Sequence, residues 1–196
     1  MPICSPKVEN ALNGVGYTLD CTERLLRMAQ GFLLVATTSI HPTNPLVRSM
    51  HLHKLLSGAS FGRDFINALY TVRDAWTFQE SAKSTTLLQQ VTYADGWVVN
   101  IGSTLMCFQD WTPLKFGAFA PLIEKICNAS WVSLYALTTL KHMAEDKDPF
   151  TKIDIYRALG DLSFATTSVW FPGTPRGIAG MTSGAIGLHV LLSQKS

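Results

Sequence analysis

Apolar residues recur every three to four positions along most of this chain, the spacing of one face of an α-helix. Leu25, Leu26, Met28, Phe32, Leu33, Leu34 and Val35 form the first such set, and Asp20-Cys-Thr-Glu23 ahead of it has the spacing of a capping box. A helix is therefore predicted over about residues 20–38. It stops at Ile40-His-Pro-Thr-Asn-Pro45, where two prolines remove backbone donors and turn the residues before them away from the α region. Between Leu46 and Ser81 a short segment and a longer helix are predicted, parted at Ser57-Gly-Ala-Ser60. The longer one is amphipathic: Phe61, Phe65, Leu69, Val72 and Trp76 fall on one face, and Arg63, Asp64, Asn67, Arg73 and Asp74 on the other.

The stretch from Thr85 to Trp111 is apolar nearly all round, with Asp95 and Asp110 as its only charges. Pro113 and Gly117 punctuate it, and a further mostly apolar helix follows over about residues 118–143, including an uncharged run from Ile126 to Leu140. Ala144 to Phe150 is the most polar stretch and reads as a solvated turn, with Asp148-Pro149 opening a helix that carries Ile153, Ile155, Tyr156, Leu159, Leu162 and Phe164. Trp170-Phe-Pro-Gly-Thr-Pro-Arg176 breaks the chain before an uncharged segment, Gly177 to Gln194. There Gly180, Ser183, Gly184 and Gly187 repeat a small-xxx-small spacing that lets two helix backbones approach closely. Only Val91 to Val99 is ambiguous between helix and strand, so the pattern predicts one all-α domain over 1–196, with about six or seven helices.

Composition sharpens this picture. Only 15% of the 196 residues are charged, 47% are hydrophobic and the mean hydropathy is +0.17, against about 25% charged in ordinary soluble domains. Disorder is excluded, and the chain is expected to fold or to enter a membrane, with candidate membrane segments near 85–111, 118–143 and 177–193, the last the best of them. Trp111 and Trp170, each beside a proline-containing turn, are candidate interface anchors. A net charge of +2 is too small for a nucleic-acid footprint. The N-terminal twenty residues hold no apolar core of signal-peptide length.

Catalytic chemistry finds no purchase in the sequence. Cys4, Cys21, Cys107 and Cys127 form no CxxC pair, and His51 and His53 diverge on a helix, so no metal site is expected. Gly14-Val-Gly16 and Gly58 to Gly62 lack the lysine and the strand-turn-helix setting of a phosphate loop. Glu23, Asp64, Asp95 and Glu124 are not paired by any spacing and read as caps or solvated positions, although Asp95 needs protein, water or a partner to face. No catalytic, cofactor-binding or metal-binding residue is assigned, and an enzyme is not expected.

The order of features resembles the peroxin-11 family, the membrane-remodelling proteins of peroxisomes and glycosomes. Arg24-Leu-Leu-Arg-Met-Ala-Gln30 is similar to the family's opening helix. His51-Leu-His-Lys54 to Gly58, followed by Phe65 to Leu69, falls where that family has its amphipathic membrane-binding helix. Asp154 to Leu162, Trp170-Phe-Pro-Gly173 and Gly177 to Ser183 resemble its final helix, its Pro-Gly break and its glycine-rich closing segment. The departure lies in the amphipathic segment, which offers Arg48, Lys54, Arg63 and Arg73 balanced by Asp64 and Asp74, and carries Ser57-Gly58-Ala59 where a basic-Leu-Gly run would be expected. The resemblance implies a non-enzymatic protein of the peroxisomal or glycosomal membrane. Phe61, Phe65, Leu69, Val72 and Trp76 would act as its wedge, and lipid, other membrane subunits or further copies as its partners. The near-balanced polar face admits an alternative, an accessory subunit of a respiratory or ATP synthase assembly in the mitochondrial inner membrane. A soluble helical enzyme or lipid carrier with an apolar cavity is a third reading.

Overall fold

The periodicity read from the sequence is realised as six α-helices, with no strand among the described residues. The computed structural model describes residues 6–39, 51–81, 86–113, 115–145 and 152–193. Among the described residues the helices are α1 (Pro6–Ser39), α2 (His51–Ser81), α3 (Leu87–Trp111), α4 (Ala120–Glu145), α5 (Ile153–Trp170) and α6 (Thr174–Ser193), with a 3-10 turn at Gly117–Phe119.

Two boundaries differ from the expectation. Helix α1 starts at Pro6, a first position where the missing N–H of proline costs nothing, so Asp20 and Glu23 lie in mid-helix and are not a cap. Asp20 instead accepts a hydrogen bond from the Tyr70 hydroxyl. Helix α2 runs unbroken through Ser57-Gly-Ala-Ser60, because Ala59 is buried and the Ser60 hydroxyl accepts a hydrogen bond from Gln30 at 2.7 Å. A capping box does exist at α3, where the Thr86 hydroxyl accepts from the Gln89 N–H and the Gln89 side chain accepts from the Thr86 N–H. Between α5 and α6 the chain turns at Gly173, whose φ of +89° favours glycine.

Each helix packs on its neighbour in the chain, and α6 returns to pack on α1, so the six close into a ring. Side-chain partners show the alternation of direction. Glu23 and Gln30 of α1 meet Arg63 and Ser60 of α2, and Asn67 of α2 meets Ser103 of α3. Thr38 of α1 meets Thr174 of α6.

The seam between α1 and α6 is the most extensive contact in the ring. A Cβ on Gly31 would sit 2.5 Å from the carbonyl oxygen of Gly177, and one on Gly184 would sit 2.9 Å from that of Arg24. Dispersion falls steeply with separation, so two backbones this close gain contact that longer side chains would prevent.

The ring is inverted in polarity. Among the described residues, eleven buried side chains are polar or charged against twelve apolar ones, while twenty-five large apolar side chains are exposed. Every helix contributes to that outer surface, for example Phe32, Val72, Phe108, Leu140, Leu159 and Ile178. Yet no helix among the described residues is long and apolar enough to cross a membrane. Hydropathy thus does not support crossings near 85–111, 118–143 or 177–193: α3 carries Gln89, Gln90, Asp95 and Asn100, and α6 gives four positions to glycine.

The seam makes a prediction about glycine. Gly31→Ala should destabilise the protein by about 1–3 kcal/mol, because a backbone carbonyl cannot swing aside. Gly58→Ala, with open space around it, should raise stability by about 0.5–1 kcal/mol. Thermal unfolding of the two variants in detergent should show opposite shifts in Tm.

Candidate functional site

The polar stripes of α1, α2 and α5 all turn into the ring. On α1, Glu23, Arg24, Arg27 and Gln30 are three or four apart and all buried; on α2, Arg63 and Asn67 are buried; on α5, Asp161 is. A charge removed from water at this depth must be paired. Arg27, only 1% exposed, donates from Nε and Nη2 to Glu23 Oε1 at 3.0 and 2.8 Å. Its Nη1 donates to Asp161 and, at 2.7 Å, to the Ser183 hydroxyl, which itself donates to Asp161 at 2.6 Å. Arg24 grips the same carboxylate with both Nη1 and Nη2. From α2, Arg63 donates to Glu23 at 3.2 Å and to Gln30 at 2.6 Å. The guanidinium carbons of Arg27 and Arg63 each lie 4.9 Å from the centre of the Phe164 ring, an arrangement in which the negative ring face attracts the cation.

Three cations and two carboxylates thus hold α1, α2, α5 and α6 together. Burial drives the Asp161 pKa upward, but Arg27, Arg24 and the Ser183 hydroxyl overcome it and hold the group at about 2. Burial acts likewise on Glu23, and Arg27, Arg63 and Arg24 together keep its pKa below the ordinary carboxylate value. Tyr135 of α4, which accepts a hydrogen bond from Arg27 at 3.4 Å, is pushed up to about 12 by burial.

This septum separates two polar cavities. One, of about 480 Å³, lies toward the end where α2 and α4 finish and α3 and α5 begin; Asp20, Tyr70, Asn100, His142, Asp154 and Arg157 line it beside the septum. The other, of about 320 Å³, lies toward the end where α5 finishes and α6 begins, and is lined by Gln30, Ser60, Asp64, Glu124, Asn128 and Arg176 among others. Asn67, Trp131 and Tyr135 line both.

The residues singled out from the sequence are distributed differently. Phe65 and Val72 are exposed and Phe61 and Leu69 half-buried, with Phe61 and Phe65 stacked at 6.4 Å; the side chain of Trp76 lies outside the described residues. Gly180, Ser183, Gly184 and Gly187 are all buried in α6. Gly184 and Gly187 face Met28 and Arg24, Gly180 faces Phe164, and Ser183 belongs to the septum. Trp170 is exposed beside the α5–α6 turn, and the side chain of Trp111 lies outside the described residues. Of the four carboxylates, Glu23 is fully buried and ion-paired, which corrects its reading as a cap or solvated position. Asp64 is half-buried and Glu124 exposed. Asp95 is half-buried, with Oδ2 shielded from solvent and lacking a hydrogen-bond partner among the described residues.

Sequence reading missed Arg24, Arg27, Arg63 and Asp161 as a unit. The signal was present in two places. Glu23 and Arg27 are an i,i+4 pair, and Asp154, Arg157 and Asp161 share one face of α5. A polar stripe has the same period whether it faces water or an interior.

No family model, curated protein or solved structure matches this chain.

Two predictions follow from the septum. The folded-state pKa of Asp161 is depressed, so its contribution is fully present above about pH 4 and is lost as pH falls toward 2. The loss amounts to about 2 kcal/mol; acid unfolding followed by circular dichroism should show it, and Asp161→Asn should flatten that limb. Arg27→Met leaves Glu23 and Asp161 short of a partner and should cost about 3–5 kcal/mol, read as a fall in denaturation midpoint.

Proposed function

We propose that this chain is a non-enzymatic, membrane-associated protein, organised like the peroxin-11 family, that shapes or scaffolds a peroxisomal or glycosomal membrane. The observation that carries the proposal is the inverted polarity of the ring: paired charges inside, large apolar side chains on the outer face of every helix. Apolar surface this extensive around a monomer is the mark of a face that meets lipid or protein. The polar residues that keep each helix from being apolar enough to cross a membrane include those turned inward, such as Glu23, Arg27, Arg63, Asn100 and Asp161. Lipid against the outer face would therefore not meet them. Phe65 and Val72 on α2 and Ile178 and Leu192 on α6 belong to that face.

Membrane flotation of the tagged full chain tests the proposal. The protein should rise with organelle membranes and resist carbonate extraction, and Phe65→Asp with Val72→Asp should shift it toward the soluble fraction while leaving the helical circular dichroism unchanged. A protein that stays monodisperse in buffer without detergent overturns the reading. Migration on native gels with a fixed set of respiratory or ATP synthase subunits would replace it with the accessory-subunit reading.

A further inference from the structure

The larger of these two cavities contains two charged side chains that no described side chain pairs. Asp154 and Arg157 both line it, stand one turn apart on α5, and make no ion pair or hydrogen bond with each other or with any described residue. Acid and base at this spacing ordinarily pair across the helix surface. Elsewhere in the cavity the charges are engaged: Arg24 and Arg27 with Glu23 and Asp161, and Asp20 with the Tyr70 hydroxyl. His142 of α4 lies on the same wall. Beside these groups lie two aromatic side chains, Trp131 and Tyr135, whose rings stack on each other with centroids 5.0 Å apart and planes 28° from parallel.

We infer that this cavity is a binding site for a small zwitterion of the α-amino-acid class, with Arg157 taking its carboxylate, Asp154 its ammonium group and the Trp131–Tyr135 wall its apolar side chain. The charge balance points to a ligand with no net charge. Asp20, Glu23, Asp154 and Asp161 face Arg24, Arg27 and Arg157, and Arg63 neutralises Glu23 from the other side, which makes four against four. A mono-anion or mono-cation would leave one of the two free groups without a counter-charge. The volume, about 480 Å³, lies in the range of about 300–1,000 Å³ usual for small-molecule sites. The lining brings four carboxylates and three guanidinium groups to an otherwise largely apolar wall, as a ligand with two charges and an apolar side chain requires. The inference does not depend on what covers the outer face of the ring.

Calorimetric titration of the detergent-purified full chain tests it, with L-phenylalanine as the zwitterion and phenethylamine and 3-phenylpropanoate as probes that each keep one charge. L-phenylalanine should bind, and each singly charged probe should bind at least about tenfold more weakly. Asp154→Asn and Arg157→Gln should each weaken L-phenylalanine about tenfold or more while the ligand-free protein keeps a cooperative thermal transition, since neither side chain has a hydrogen-bond or ion-pair partner among the described residues and Asp154→Asn gives up only a carboxylate in the first turn of α5. Absence of binding by folded protein at about 10 mM ligand overturns the inference. Equal binding of either singly charged probe, or affinity unchanged in both variants, does the same.

Discussion

Arg27 is the side chain on which the rest of this fold depends. It is the largest of the fully buried side chains, and its guanidinium reaches a carboxylate on its own helix, one on α5, a hydroxyl on α6 and a phenol on α4. An arginine can do this where a lysine cannot, because its planar fork presents five donors in fixed directions. Each bond fixes the azimuth of one helix about the ring, so a single residue specifies which face of several helices points inward. Buried ion pairs add little net stability over well-packed apolar groups. Their effect here is to penalise every alternative packing in which one charge is left alone.

The septum and the glycine seam are two aspects of one constraint. Arg24 sends its side chain toward Asp161 and Ser183 while its backbone carbonyl lies against Gly184, and Gly187 leaves room for the guanidinium itself. A larger residue at Gly187 would occupy the space of Arg24 Nε, so the small-residue spacing in α6 serves electrostatics as much as backbone contact. Ser183 joins the two, being fully buried and small enough for α6 to approach both α1 and Gly160 of α5 while its hydroxyl completes the coordination of Asp161.

Much of this was legible in the sequence, and the illegible part has a definite cause. Helical periodicity located the last helix and its run of small residues, and it placed the Pro-Gly break before Thr174 closely. It misplaced the start of α1 and divided α2, because the propensity of Ser57-Gly-Ala-Ser60 to turn is overridden by the Gln30–Ser60 bond and the burial of Ala59. Helical period also left one question open: it divided α2 into an Arg63–Asn67 face and a Phe65–Val72 face, and nothing in the period of a single helix says which of them closes on other helices. That information resides in pairs such as Arg63 with Glu23 and Arg24 with Asp161, whose members lie 40 and 137 residues apart.

Those separations govern the order in which the molecule can be completed during synthesis. Arg24 and Arg27 leave the ribosome well before Asp161, and the Ser183 hydroxyl follows 156 residues after Arg27. Until α5 emerges, Arg24 and Arg27 lack the carboxylate that both of them hold in the finished ring, and Glu23 is the one direct ion-pair partner they have among the described residues of α1 to α4. Closure of the ring therefore waits for the last two helices, which carry Asp161 and Ser183.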